Sequence, residues 1–343
     1  MTNIERIDQL PSLPRDELRA LLESRSPADA QYLFARAREA RARVYGQDVY
    51  LRGLIEISSY CKNDCYYCGL RRGNEKAQRY RLDKTEILDC CARGHALGLR
   101  TFVLQGGEDT YFNDERLCDI VNEIRQTYPD CAITLSLGER SRASYEALFA
   151  AGANRYLLRH ESANEAHYRS LHPVGMQLRT RLQCLQDLRN IGYQVGCGFM
   201  VGSPGQTIDC LLDDLAFLRA FRPEMVGIGP FLPHRDTPFA QQPPGTPELT
   251  LFLLGLMRLL LPEALLPATT ALGSADPEGR VRGLLAGANV IMPNISPPQV
   301  RAKYAIYDGK ETQGVEGLKR QAAQAGMVIA QGRGDARSID SYY

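Results

Sequence analysis

Neither sign of charge is in excess along this chain: 41 basic residues stand against 40 acidic ones, a formal net charge of +1. Without a strong field of one sign, attachment to nucleic acid or to an anionic membrane surface is not expected. A long apolar run is missing too. The most apolar stretch, from Leu249 to Leu261, is about 13 residues long and contains Arg258, whereas a membrane span needs about 20. The opening MTNIERIDQLPSLPRDELRA mixes both charges and has no apolar core of the kind a secretory leader carries. The expected location is therefore cytoplasmic, where thiols stay reduced and ten cysteines do not read as a disulfide framework. No long low-complexity segment interrupts the chain.

The composition is that of an ordinary globular protein, 44% apolar and 24% charged over 343 residues. That suffices for a large core, and α/β barrels of this length form one domain. Two helical patterns, 14–23 and 26–45, open the chain. Strand-like runs then fall at 51–57, 101–105, 132–137, 155–159, 194–200, 225–230, 266–270 and 290–293. Helical patterns lie between them at 84–97, 114–127, 142–151, 178–191, 207–221, 248–261 and 279–287, with a short one at 165–170. Gly98, Gly152, Gly192 and Gly287 each stand where a helix would end in a left-handed cap, and Asp83 and Ser141 stand at N-cap positions. Strands alternating with helices specify parallel βαβ units, and eight of them suffice to close a (β/α)8 barrel. The expected fold is thus an α/β TIM-type barrel over residues 49–310, with an N-terminal helical extension (1–48) and a short, polar C-terminal extension (311–343).

In such a barrel, chemistry sits where strands end and loops begin. The first runs into ISSYCKNDCYYCGLR, which places Cys61, Cys65 and Cys68 on one short loop. Three thiolates at this spacing can converge on three corners of a 4Fe–4S cluster, leaving the fourth iron open. A structural zinc knuckle would need a fourth ligand close by, but the nearest downstream histidine is His95 and no second C-x2-C occurs. The other seven cysteines fall in helical or strand-like runs and read as core.

The second strand ends Gln105-Gly106-Gly107-Glu108, where glycines let the backbone approach a ligand and Glu108 could face an ammonium group. Glu161, after the fourth strand, could accept from ribose hydroxyls or be a surface ion-pair partner. Arg181 could fork a carboxylate or be a solvated helix residue. Met200 and the Gly-rich turn after it could flank a nucleoside, Ile228 and Gly229 could present backbone edges to its base, and Met200 could equally be core filler. Thr269 and Thr270 could point hydroxyls at the barrel mouth or serve only as strand formers.

The triplet spacing, with Tyr67 before and Gly69 after Cys68, resembles the signature of the radical SAM superfamily. The resemblance implies that the open iron chelates S-adenosylmethionine (SAM), whose reductive cleavage yields a 5′-deoxyadenosyl radical. QGGED resembles the superfamily's GGE motif, which holds the methionine amino group. More specifically, RGLIEISSYCKNDCYYCGLRR, QGGED, TLSLGE, RYLLRHESAN, MVGSPGQT, MVGIGPFLPHRDTP, PATTALG and GANVIMPN resemble, in order, the HydE-type [FeFe]-hydrogenase maturases. That likeness implies cofactor contacts at Tyr67, Gln105, Gly106, Gly107, Glu108, Ser136, Glu161, Arg181, Met200 and Ile228. It also implies a long internal cavity lined by Thr134, Arg159, Thr269 and Thr270 and closed by Tyr304 and Tyr307. The implied substrate is an iron–cysteine complex bearing CO and cyanide, with a reducing electron donor and other maturation proteins as partners.

The sequence departs from the family's fullest pattern in having no cysteine after Cys210, so a second C-terminal cluster is expected to be absent. Two other enzymes on the same barrel stay open: a methylornithine-synthase-like mutase, and a biotin-synthase-like enzyme using Cys131 and Cys197 as auxiliary cluster ligands. A non-catalytic iron–sulfur scaffold is the alternative from another class.

Overall fold

Alternating apolar runs and amphipathic segments translate into parallel strands joined by helices in a computed structural model, which describes residues 1–311 and 313–337. The strands are β1 (Asp48–Leu51), β2 (Gly53–Ser58), β3 (Thr101–Gly106), β4 (Ala132–Ser136), β5 (Arg155–Leu157) and β6 (Gln194–Cys197). They continue with β7 (Met200–Val201), β8 (Met225–Val226), β9 (Gly229–Pro230), β10 (Val290–Ile291) and β11 (Val328–Ile329). The main parallel sheet has the order β2-β3-β4-β5-β6-β8, beside a β10-β1-β11 sheet and a β7-β9 pair. Isolated parallel bridges at Met225–Leu265, Pro267–Val290 and Leu54–Asn294 carry the pairing onward from β8 through β10 back to β2.

Several expected strands are broken. Arg52 divides the first, Gly198 separates β6 from β7, and Gly227 separates β8 from β9. Gly198 takes φ +149°, and a Cβ there would stand 1.9 Å from the Gly227 carbonyl oxygen, so the two strands touch where only glycine fits. The expected strand at 266–270 is corrected to a single bridge at Pro267, preceded by one at Leu265, because Pro267 has no N–H to donate and Thr269 turns to cap the helix Thr270–Ala275, accepting from Leu272 N–H. The four expected cap glycines all have positive φ, and Asp83 and Ser141 accept from the third residue of their helices.

One face of the main sheet packs Ile55, Ile57, Phe102, Leu104, Ile133 and Leu135 against the helices in the principal core. Alternation turns Leu54, Glu56, Gln105, Thr134, Ser136 and Arg155 to the other face. Register places Glu56, Gln105 and Ser136 side by side in one layer, above Thr134, Arg155 and Gln194 in the next. Below these, Tyr50, Met225, Leu265 and Val290 form an apolar floor. The C-terminal extension closes it: the Arg333 carbonyl accepts from Thr101 Oγ1 and Arg155 Nη2, each at 2.8 Å, and Asp335 pairs with Arg155 at 2.7 Å. Sequence periodicity missed both β11, parallel to β1, and a first helix, Asn3–Asp8. Residues 312 and 338–343 of the expected extension lie outside the described residues.

The N-terminal helix Pro27–Tyr45 covers the apolar helix Pro247–Leu260. Arg258, anomalous in that apolar run, is fully buried and donates to the carbonyls of Gly287, Pro262 and Ala264 and to Asn289 Oδ1. No described helix is long and apolar enough to cross a membrane.

Candidate active site

The three cysteines lie on the long loop between β2 and the helix Lys84–Ala96, whose backbone is fastened at several points. Arg79 donates to the carbonyls of Ser59, Leu70, Arg71 and Asn74, at 2.5 to 3.2 Å. Tyr66 N–H reaches Leu171 O at 3.0 Å, and Gly69 N–H reaches Ile306 O at 2.9 Å. Gly107, just past β3, lies directly against the loop: a Cβ there would meet the Tyr60 carbonyl oxygen at 2.2 Å and Cys61 Cβ at 2.7 Å. Gly107→Ala is therefore expected to displace Cys61 and to lower the iron bound on reconstitution. An iron analysis equal to that of the parent protein would show that the loop tolerates the methyl group.

The thiols are partly shielded from solvent and repel one another once ionised. Burial raises the Cys61 and Cys65 thiols, and burial with repulsion from Cys61 pushes Cys68 up to about 12. Three thiolates here need positive charge among them, which iron supplies. Cys65 Sγ also lies 3.8 Å from Met176 Sδ, a neighbour that no local sequence signal indicated. Of the other seven cysteines, six are buried and Cys118 is half-buried.

Gln105 Nε2 donates to Tyr304 OH at 3.3 Å, joining the β3 end to the C-terminal loop. The Glu108 carboxylate does face an ammonium group, but it belongs to Lys62, at 3.3 Å; its other oxygen accepts Glu139 N–H at 3.0 Å. Arg181 is buried and not solvated: Nε pairs with Glu139 and Nη1 donates to the Arg159 carbonyl at 2.8 Å. Tyr67 OH meets His172 Nε2 at 3.2 Å, and the His172 Nδ1–H donates to Tyr168 O at 2.8 Å. Burial holds that imidazole down at about 4, so it is neutral and accepts from the phenol. Met200 packs with Leu171 and Phe231, with Tyr67 against them, while the Ile228 side chain belongs to the principal core.

Glu161 is no surface residue. It is buried, takes the left-handed φ of +63°, and its Oε2 lies 3.0 Å from Arg159 Nη2. Thr134 Oγ1 and Arg159 Nε are buried with no hydrogen-bond partner among the described residues. Thr269 faces Gly229 across the interior, where a Cβ on that glycine would meet its hydroxyl at 2.8 Å, but the same hydroxyl caps a helix. Thr270 is half-buried in the first turn of that helix. Tyr304 and Tyr307 are both buried on the segment leading to Lys310. Sequence reasoning passed over Glu56, Asn294 and Lys310, which meet here in a buried group.

His95, Asp130 and Cys131 also converge, at the start of β4 and so at the opposite end of the strands. There Arg100 already neutralises Asp130 at 2.8 Å. Cys131 precedes β4 and Cys197 packs in the helix-covered core, so neither faces the interior where an auxiliary cluster would sit.

Residues 55–218 match the model of the Radical SAM superfamily. Over 312 residues the chain is 45% identical to the [FeFe] hydrogenase maturase subunit HydE of Thermotoga maritima, covering 90% of this chain and 89% of that one. The chain belongs to the radical SAM superfamily, in the HydE family. It is 30% identical to a 3-methylornithine synthase of Methanosarcina acetivorans, over 84% of this chain and 81% of that protein. A crystal structure of methylornithine synthase (PylB) superposes with a TM-score of 0.84 at 28% identity, covering 96% and 97% of the two chains. The FeFe-hydrogenase maturase HydG from Carboxydothermus hydrogenoformans shares the fold, with a TM-score of 0.81 at 20% identity over 96% of this chain and 78% of that one.

As a radical SAM enzyme, the chain uses a 4Fe–4S cluster and SAM. Its residues fit both groups. The donor set is three thiols on one fastened loop, and the buried Thr134 Oγ1 and Arg159 Nε, without hydrogen-bond partners among the described residues, suit a polar ligand.

Proposed function

We propose that this enzyme acts in assembling the diiron subcluster of an [FeFe] hydrogenase, on a sulfur-containing iron–cysteine complex bearing CO and cyanide. The observation that carries this reading is the pair of buried atoms without hydrogen-bond partners among the described residues, Thr134 Oγ1 and Arg159 Nε, with the buried Arg159–Glu161 ion pair, in a chain 45% identical to a HydE maturase. Cys61, Cys65 and Cys68 would hold the cluster. Together with SAM the cluster supplies one-electron cleavage of the sulfonium, giving a 5′-deoxyadenosyl radical.

The chain's own residues bind, orient and exclude water. The backbone of Gly106 and Gly107, Glu161 and Ser136 would hold the methionine and ribose parts of SAM, with Ile228 and Met200 along the adenine. Arg181 keeps Arg159 and Glu139 in place and supplies fixed positive charge toward a carboxylate. Arg159, with its Nε still free to donate, and the Thr134 hydroxyl would receive an anionic substrate, with Thr269 and Thr270 beyond. Tyr304 and Tyr307 close the cavity and keep bulk water from a reactive centre.

In this reading the bridges at Leu265, Pro267 and Asn294 complete a closed (β/α)8 barrel over 49–310, preceded by the helices of 1–48 and floored by the extension from 311. The enzyme would work in the cytoplasm, with an electron donor and other maturation proteins as partners.

Anaerobic reconstitution should give about four irons per chain and, after reduction, 5′-deoxyadenosine from SAM. A full cluster with no deoxyadenosine would return the protein to the scaffold reading. Apo-hydrogenase should gain activity in an in vitro maturation mixture only when this protein is added. The likeness to PylB makes lysine rearrangement the second assay. Rearranged lysine without maturation would overturn the maturase assignment.

A further inference from the structure

Three of the chain's five histidines, His160, His167 and His172, are buried in the wall behind Glu161. The Tyr67–His172 contact is one part of that wall. The other two imidazoles hold the turn at residues 160–164. His167 bonds Ser162 Oγ through Nδ1 at 2.9 Å and Ser203 Oγ through Nε2 at 3.2 Å. His160 is fully enclosed, with Phe199 and Phe217 at its ring.

Glu161 needs such support. Left-handed backbone is unfavourable for a residue with a Cβ and persists only where its surroundings over-determine it. Here the turn is fastened on both sides of the strained residue. Glu161 N–H donates to Gly198 O at 3.0 Å, and Gly198 N–H donates back to His160 Nδ1 at 3.3 Å. His160 Nε2 meets Asp214 Oδ1 at 3.2 Å, and the same oxygen accepts Ala163 N–H at 2.5 Å. Because Nδ1 accepts, the ring proton sits on Nε2 and points at the carboxylate. Asp214 comes from the helix Ile208–Phe221 and is itself fully enclosed, so the turn is tied to a helix as well as to the strand end.

We propose that His160 and Asp214 are positioning residues, holding the strained turn so that the Glu161 carboxylate is aimed at the SAM site. The inference rests on the reading of Glu161 as a SAM contact, and the test separates the two. His160→Phe fills the ring's space but removes both bonds. Asp214→Leu removes the acceptor for His160 and Ala163, and provides the test independently should the first variant fold poorly.

SAM affinity is measured by equilibrium dialysis on anaerobically reconstituted protein of full iron content, and exchange of the 160–164 amides by mass spectrometry on cluster-free protein. His160→Phe and Asp214→Leu should each weaken SAM binding by about tenfold and speed amide exchange across the turn. The loss should appear in KM for SAM, with kcat for 5′-deoxyadenosine largely kept. Leu148→Ala, a core truncation in the helix Arg142–Ala150, should lower the melting temperature without changing SAM affinity. Glu161→Ala should also weaken SAM binding, and adding His160→Phe to it should weaken binding no further. If Glu161→Ala binds SAM like the parent, the Glu161 reading fails and the inference with it. If Glu161→Ala weakens binding but His160→Phe does not, or adds its full effect, the positioning role alone is overturned.

Discussion

Cys65→Ala is expected to give a folded protein that holds no four-iron cluster and forms no 5′-deoxyadenosine from SAM. The loop should survive because its shape does not depend on the thiol. Arg79 bonds its carbonyls, Arg72 N–H reaches Asn63 O at 2.8 Å, and Arg71 pairs with Asp64 at 2.7 Å. The cluster should not survive. Two thiolates leave two irons without protein ligands, and no spare thiol lies near, since the other seven cysteines sit in helices or at strand positions away from this loop. Iron and sulfide analysis, the electron paramagnetic resonance of the reduced protein and chromatography of the nucleoside products check the three parts of the claim. Full iron content with sustained deoxyadenosine formation would show that the triplet does not ligate the cluster.

Lys310→Met carries the second large effect, on stability. Lys310 and Glu56 form an ion pair with side chains 8% and 0% exposed. Lys310 also donates to Tyr304 O at 3.1 Å and lies 4.7 Å from the centre of the Tyr304 ring, while Asn294 Nδ2 donates to the Glu56 carboxylate at 2.8 Å. Burial pushes the Glu56 carboxyl up and the Lys310 ammonium down, each opposed by its partner. Removing the ammonium leaves a buried carboxylate with Asn294 alone, at a cost of about 3–5 kcal/mol. In a chain of this size, that is a fall of roughly four to seven degrees in melting temperature.

The pH dependence follows in sign. In Lys310→Met, the folded state raises Glu56 above its unfolded value, so it binds the proton more tightly than the unfolded chain does. The variant's deficit is then smallest below the unfolded carboxylate pKa and grows as pH rises toward the raised folded value. Combining it with Glu56→Gln should recover most of the loss at neutral pH. Thermal melts across pH test this; a single variant that melts like the parent at pH 7 would defeat it.

Local pattern was enough to reveal the chemistry. A C-x3-C-x2-C run needs no distant partner to be recognised, because its three ligands are neighbours in the chain and converge by loop geometry alone. The alternation of apolar runs and helical patterns likewise follows from periods of two and 3.6, both of which are local properties. Cap glycines and N-cap side chains act within one turn and were legible for the same reason.

Strand continuity was less legible, because it depends on what stands opposite. Gly198 interrupts its strand where Gly227 of the next comes within contact, and Pro267 reduces another to an isolated bridge, with neither partner marked in its own segment. Side-chain allegiance was hidden in the same way. Glu108, expected to face a ligand's ammonium, meets Lys62; Arg181, open in sequence to either a carboxylate or solvent, is buried on Glu139.

Cys61, Cys65 and Cys68, the order of strands and helices and the family's blocks could all be read from residues adjacent in the chain. The Glu56–Lys310 pair spans 254 positions, and the His160–Asp214 pair spans 54. Only tertiary folding could bring those charges together. The energy of a buried polar group depends on the few atoms within bonding distance, and covalent order does not specify which atoms those will be.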